Sequence, residues 1–131
     1  MSSINRNKTV LILLILVIAV GLTTGCSSSG KRKELAFSDV ELTTDPAAPI
    51  TGKNTKMIVT ITDSSFAKQE ADVQLQINSK STLPLLIDAT KEGENYTATC
   101  EFKKAEDYTV TVHLSYEEDH YSFAKQITVT E

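Results

Sequence analysis

The sequence lacks tryptophan altogether and holds only two cysteines, Cys26 and Cys100, in 131 residues. Two cysteines do not make a disulfide framework, so a small secreted scaffold held by several bridges is excluded. Aromatic residues make up 6% of the chain, while 40% of all residues are hydrophobic. That composition is enough for one domain with a modest core.

Motifs for catalysis are also missing from the sequence. No glycine-rich phosphate loop and no spaced set of metal ligands is present. No serine or cysteine lies in a strained elbow or beside a plausible base. We therefore expect a protein that is not an enzyme.

Positive charge is scarce in the part of the chain that follows Cys26. Of 13 Lys and Arg residues only Arg6 and Lys8 precede Cys26, which leaves 11 against 17 acidic residues and a net charge of −6. Nucleic-acid binding needs clustered cations that displace counterions, so we expect no nucleic-acid partner. An acidic surface commonly serves solubility alone, although it is also compatible with binding a cation.

The N-terminus has the three parts of a secretory signal. Arg6 and Lys8 precede residues 9–22, an uncharged and almost wholly apolar run of about 14 residues, and small residues then lead to Cys26. The run is shorter than the roughly 20 residues that a membrane-spanning helix needs. The pattern predicts a signal peptide at residues 1–25, and the alternative is an uncleaved single-pass anchor.

The segment from Leu22 to Cys26 (LTTGC) resembles a lipobox, the recognition site of bacterial lipoproteins. Thr23 stands where the commonest form has an aliphatic residue. The resemblance implies cleavage before Cys26 and a diacylglyceryl group on its sulfur, and two acyl chains anchor a protein stably. Residues 26–33 would then be a lipidated cysteine and a flexible linker, whose basic end at residues 31–33 either touches anionic headgroups or is simply solvated.

Beyond residue 33 the hydrophobic pattern is that of strands. Residues 71–78 alternate strictly between apolar and polar side chains, which is typical of a half-buried strand. Pro84 indicates an edge position for the fourth strand. Seven strands are predicted in all, at residues 35–42, 55–62, 71–78, 83–89, 96–102, 108–116 and 122–130.

Short strands about ten residues apart, without helices between them, predict an all-β, immunoglobulin-like antiparallel β-sandwich. Asp107-Tyr108 opens the penultimate strand, where such folds often place a tyrosine corner. Cys100 falls on the inward-facing set of its strand, which favours a small buried hydrophobe over a reactive thiol.

Residues 87–129 resemble the YtkA-like (FixH-like) domain of bacterial lipoproteins. The shared elements are a Glu-Gly turn before an aromatic residue (Glu92-Gly93 and Tyr96), an x-Tyr strand start (Asp107-Tyr108), a Val-x-His-type strand, a second histidine and a final Lys-Gln-Ile-Thr-Val strand. The resemblance implies a small β-sandwich at residues 34–131 on a lipid anchor. FixH relatives are linked to assembly of copper-containing respiratory oxidases.

That link makes His113 and His120 the candidate metal ligands, with copper as the candidate metal. Imidazole and thioether groups are the ligands that select copper. Lys91 stands where the family has a further histidine, and residues 121–123 stand where it has Met-Pro, so two expected ligands are absent. A predicted hairpin separates the two histidines, so we expect them to meet across adjacent strands. The alternative is two surface histidines without a metal.

The acidic run at residues 117–119 lacks the ligand spacing of a calcium loop, so a solvated turn is favoured there. The sequence therefore predicts a membrane lipoprotein of the bacterial cell envelope, held on the extracytoplasmic face through lipid on Cys26. Its domain would be a non-enzymatic binding module for an envelope protein or another ligand. The alternative function is a copper-handling accessory protein.

Overall fold

A computed structural model describes residues 30–131 of the chain. The predicted signal peptide and the predicted lipidation site Cys26 lie outside the described residues. Among the residues described, no helix has the length and apolar character needed to cross a membrane. A compact unit comprises Glu34–Glu131.

Seven antiparallel strands make up most of this unit, together with two short helical turns. A 3₁₀ turn at Phe37–Asp39 precedes the first strand, and the four-residue helix α1, Ser64–Ala67, follows the second. The strands are β1 (Val40–Asp45), β2 (Asn54–Ile61), β3 (Asp72–Asn78), β4 (Leu85–Glu92), β5 (Asn95–Glu101), β6 (Asp107–Ser115) and β7 (His120–Thr128).

The strands are hydrogen-bonded in the order β1-β2-β5-β4-β3-β6-β7. Strand β4 is shared between two layers, because its first part pairs with β3 up to the pair Val73↔Ala89, and its last part pairs with β5 from Thr90↔Thr97 onward. Layer I consists of β1, β2, β5 and residues 90–92. Layer II consists of residues 85–89, β3, β6 and β7. The predicted immunoglobulin-like sandwich of seven strands is thus confirmed.

The core lies between the layers and follows the period-two pattern of the sequence. Alternate residues of β2, β3 and β6 are buried while their neighbours are half-buried or exposed. Burial of such a side chain stabilises the fold by roughly 1.5–3 kcal/mol. The fully enclosed apolar side chains come from both layers and are Met57, Leu75, Leu114, Val40, Val59, Val110 and Val112.

The first predicted strand was wrong in its position. It was expected at residues 35–42, whereas β1 begins at Val40 and ends at Asp45. Leu35 is buried, but it lies an odd number of residues before Val40 and so cannot share a strand face with it. The turn at Phe37–Asp39 interrupts the extended chain between Leu35 and Val40, so both side chains can face the core.

The other strands also differ from their predicted bounds, β4 and β7 by two or three residues and the rest by one, and one helix was not predicted. Strand β4 begins and ends later than expected, and β7 runs over His120–Thr128 instead of residues 122–130. Helix α1 forms where Asp63 caps a turn, because its carboxylate accepts hydrogen bonds from the amides of Ser65 (2.9 Å) and Phe66 (3.2 Å). Phe66 is thereby placed in the core.

Tyr108 forms the tyrosine corner that the sequence indicated. Its ring is 3% exposed, and its hydroxyl donates to the carbonyl oxygen of Lys104 at 3.0 Å. Because Lys104 lies in the connection from β5 to β6, this bond fixes the chain where it passes from layer I to layer II.

The ends of the strand order come close to each other. An isolated parallel bridge joins Ile50, after β1, to Thr130, after β7. On β7, Lys125 points inward, where its ammonium lies 3.3 Å from the ring centroid of Phe37 and donates to the Phe37 carbonyl at 2.9 Å. Burial lowers the pKa of Lys125.

Candidate binding site

His113 and His120 lie side by side on the outer face of layer II. In the β6–β7 ladder His113 is opposite Ser122, and Ser115 is opposite His120. The two imidazole rings are nearly parallel, at 24°, with their centroids 5.7 Å apart. The hairpin therefore brings together the two histidines that the sequence singled out.

If both rings are neutral, their hydrogen-bond partners are consistent with one placement of the protons. The Gln76 side-chain oxygen can only accept, so His113 carries its proton on Nε2, 3.2 Å away. His113 Nδ1 then accepts from the Ser122 hydroxyl at 2.8 Å, and that oxygen accepts from His120 Nε2 at 3.2 Å. His120 Nδ1 is left to accept from Ser115 at 2.9 Å. Both Nδ1 lone pairs are thus engaged by hydroxyl groups.

The histidine pair offers only part of a metal site. Among residues 30–131, no group of three or more His, Cys, Asp or Glu side chains is arranged to hold a metal ion. A metal bound at either Nδ1 would also have to displace Ser122 or Ser115. The pair therefore fits the imidazole half of a copper site, and the other ligands would have to come from outside this domain.

A groove of about 1210 Å³ runs along the outer face of layer II and includes both histidines. Its lining includes Ala71-Asp72 and Thr90-Lys91, which lie on the two sides of a gap between β3 and β4 that is called the cleft below. The cleft exists because β4 leaves β3 after Ala89, so the start of β3 loses its neighbour on that side. The amide of Ala71 donates instead to the hydroxyl of Tyr96, at 3.1 Å.

Carboxylates dominate the charged side chains of this groove. Lys91 is the one Lys or Arg side chain among the lining residues, and its Nζ lies 3.9 Å from Glu70 Oε1 and 6.0 Å from the Tyr96 ring centroid. The acidic side chains that line the groove are Glu70, Asp72, Asp88 and Glu117.

Tyr116 lines the cleft and carries a polar group without a partner. The residue is 9% exposed, and its hydroxyl makes no hydrogen bond to any described residue. Its ring packs edge-on against Phe66, with centroids 5.3 Å apart. Burial, followed by the neighbouring phenols Tyr96 and Tyr121, raises the pKa of Tyr116 to about 12. A buried hydroxyl without a partner is energetically unfavourable.

Cys100 is half-buried and packs against the core from β5. Burial raises the pKa of its thiol to about 11. The reactive thiolate is therefore scarce at neutral pH, in keeping with the predicted structural role.

No protein-family model and no curated protein matches the chain. Among solved structures, an engineered protein aligns over 72% of this chain and 21% of its own, with a TM-score of 0.51 and 15% identity. Fibronectin(III)-like modules of CbhA from Clostridium thermocellum align over 69% of this chain and 96% of their own, with a TM-score of 0.41 and 15% identity. The chain spans about a fifth of the engineered protein's length. These likenesses concern the sandwich fold and carry no function, and the YtkA-like resemblance stays a prediction.

Sequence reasoning found the histidine pair but not the cleft. Tyr116 follows the inward alternation of β6 and looks in the sequence like any core residue. Glu70 and Asp72 belong to an ordinary polar connection. Only the switch of β4 between layers brings these residues to one place, and no local motif encodes that switch.

Proposed function

We propose that this protein is a lipid-anchored, extracytoplasmic binding domain without enzymatic activity, which receives its ligand in the layer II groove. The observation that carries the proposal is the groove itself. It is large enough for a peptide segment or small molecule, and it is lined by amide, hydroxyl, imidazole and carboxylate groups. Each histidine accepts a hydrogen bond from a serine hydroxyl, as in a serine–histidine pair, but no carboxylate among the described residues orients either ring, whose other nitrogens contact Gln76 and Ser122.

The anchoring part of the proposal rests on Arg6, Lys8, the apolar run at residues 9–22 and Cys26. Its test is growth of a bacterial host with an alkyne-bearing fatty acid, followed by fluorescent tagging of the expressed protein. We expect labelling of the wild type and none of Cys26→Ser. Equal labelling of both proteins, or a wild type that keeps residues 1–25, would refute the anchor.

The binding part is tested by photo-crosslinking in the envelope. A photoreactive amino acid replaces Gln74 in the groove or, as the matched control, Thr99 on the outer face of layer I. We expect a discrete adduct from position 74 and none from position 99. Adducts of equal yield from both positions, or from neither, would contradict a ligand site in the groove.

A metal-handling function is the second candidate, and the parallel imidazoles of His113 and His120 are the observation that favours it. The full-length protein in non-ionic detergent is titrated with Cu(I), Cu(II) and Zn(II), and the titration is repeated with His113→Ala and His120→Ala. Binding tighter than about 1 μM that both substitutions abolish would support this function. Weaker binding in the wild type, or binding that survives both substitutions, would exclude it.

A further inference from the structure

The first part of β4, Leu85–Ala89, is an open edge of layer II. It pairs with β3 on one side, and no described strand pairs with its other side, because β5 joins β4 only from Thr90 onward. Leu85 and Leu86 are 48% and 57% exposed at this edge. We propose that the edge binds the same edge of a second copy of the chain, in antiparallel pairing, with Leu86 on the two-fold axis. This pairing goes beyond the proposed function, since it does not depend on a ligand in the groove.

The direction of the backbone groups at this edge follows from the hydrogen bonds of the neighbouring strand. Just before β3, the Ala71 amide donates to the Tyr96 hydroxyl at 3.1 Å, on the side of β4 and β5. Backbone groups point to opposite sides of a strand at alternate residues, so every second residue of β3 from Val73 onward faces β4. The partners of those residues in β4 face back toward β3. The N–H and C=O groups of Leu86 and Asp88 therefore point to the open side.

A two-fold axis at Leu86 makes this edge complementary to itself. The Leu86 amide of each copy would donate to the Leu86 carbonyl oxygen of the other, as in a hydrogen-bonded pair of an antiparallel ladder. The same register sets Leu85 against Ile87, and it sets Asp88 against the uncharged Pro84. Opposed side chains in an antiparallel pair lie on the same face and contact each other, so apolar groups meet apolar groups.

Other registers are less favourable for the same two edges. An axis at Ile87 would set Leu86 against Asp88, and an axis at Asp88 would oppose two carboxylates, which is destabilising. Residues 83–87 carry no charge, and Asp88 accepts a hydrogen bond from Gln74 at 2.9 Å on the side of β3. The distribution of charge along the edge thus favours pairing centred on Leu86.

The loop that leads into the edge is held in place by its own hydrogen bonds. The Ser79 hydroxyl oxygen accepts from the amides of Ser81 at 3.3 Å and Thr82 at 3.1 Å, and the Ser81 hydroxyl donates to the Glu106 carboxylate. Leu83, the next residue, is 89% exposed. Apolar surface that is already ordered loses little conformational entropy on association. Leu83 therefore adds accessible apolar area beside the paired strands.

The size of the edge indicates how strong the pairing is. About five residues of each copy would take part, which belongs to the interfaces that bury less than about 1,200 Å² in total and form weak complexes. The dimer is therefore weak in dilute solution, and its detection calls for covalent trapping or high protein concentration.

The first experiment is disulfide trapping in the full-length protein, purified in non-ionic detergent and oxidised with diamide. Leu86→Cys is made in a Cys100→Ser background, and Cys100→Ser alone is the blank for any thiol on Cys26. Opposed residues on the axis have Cα atoms about 5.5 Å apart, within the range of a disulfide. At Asp88→Cys the two positions would be offset by four residues, or about 13 Å along the strands, which is too far.

We expect a disulfide-linked dimer from position 86 and little from position 88 or from Thr99→Cys on the outer face of layer I. No dimer from position 86 would overturn the proposal, and that is also the result expected if this edge instead binds a strand of an unrelated protein. Equal yields from positions 86 and 88 would overturn the register, and an equal yield from position 99 would show random collision.

The second experiment measures association without a crosslink, by sedimentation of the full-length protein in density-matched detergent. The wild type should form dimers at concentrations below about 1 mM, and Leu86→Lys should weaken that association at least about tenfold, because two ammonium groups would meet on the axis. Thr99→Lys is the matched control and should leave association unchanged. A wild type that stays monomeric, or a Leu86→Lys protein that dimerises as well as the wild type, would overturn the proposal.

Discussion

The outer faces of the two layers differ in their charged side chains and in how those side chains are paired. On layer I, Lys56 donates to Glu92 at 2.8 Å, and beside it Lys103 donates to Glu101 at 2.6 Å. On layer II, the outward-facing strand residues are amides, hydroxyls, histidines, a leucine, an alanine and a few aspartates, without a Lys or Arg. Two carboxylates of layer I are thus paired with lysines of the chain, whereas the outward-facing strand residues of layer II include aspartates and no lysine or arginine. The contrast agrees with the proposal that ligand binding takes place on layer II.

The largest effect that bears on this contrast is expected inside layer II. Leu75 is 0% exposed, so Leu75→Ala should lower the free energy of unfolding by about 2–5 kcal/mol through lost burial and a cavity. The neighbouring Gln74→Ala, on the outer face, should change it by no more than about 0.5 kcal/mol. Urea denaturation measures both. A cost for Gln74→Ala as large as that for Leu75→Ala would show that the outer face is there for stability.

A smaller effect is expected where the chain passes between the layers. Tyr108→Phe removes the hydrogen bond to the Lys104 carbonyl and should lower the free energy of unfolding by about 0.5–1.5 kcal/mol. The matched control is Tyr121→Phe, whose hydroxyl makes no hydrogen bond within residues 30–131. Thermal unfolding of both variants checks this, and equal losses would contradict a special role for the corner.

The smallest effect is expected on the outer face of layer I. Hydrogen bonds from Lys56 and then Thr97 lower the pKa of the Glu92 carboxyl. The ionised form is therefore favoured in the folded state, and its stabilisation is present above the ordinary glutamate pKa and lost as pH falls through the lowered value. Because the carboxyl is exposed and screened by solvent, the gain is small.

The measurement is the difference in melting temperature between the wild type and Glu92→Gln across acidic pH. The wild type should be slightly more stable at pH 7, and the difference should shrink as the solution is acidified. Glu94→Gln, in the adjoining turn, is the control. A difference that grows toward low pH would contradict the ion pair on layer I.

The fold could largely be predicted because the alternation in β2, β3, β5 and β6 is regular and each strand is bounded by turn residues. Prediction failed where a local pattern does not determine pairing. The continuation of β4 through Lys91 and Glu92 looks like a polar turn in the sequence, yet it is held by β5 through pairs that end at Glu92↔Asn95. Within the candidate site, the histidine pair could be predicted because the two residues lie one hairpin apart. The cleft could not be predicted because it is built from residues of four separate strands.

Under the proposed membrane anchoring, the bridge between Ile50 and Thr130 bears on how neighbouring molecules meet. It joins the segments that follow β1 and β7, the two ends of the strand order, through backbone hydrogen bonds from Thr51 to Thr130 and from Thr130 to Pro49. Unpaired edges are templates for aggregation, and an inward-pointing charge such as Lys125 also discourages a foreign strand from adding there. Molecules held side by side in two dimensions would meet each other far more often than in solution. Among the described residues, Leu85–Ala89 of β4 pair with a strand on one side only, and the exposed Leu85 and Leu86 make this edge a position at which added charge should improve solubility.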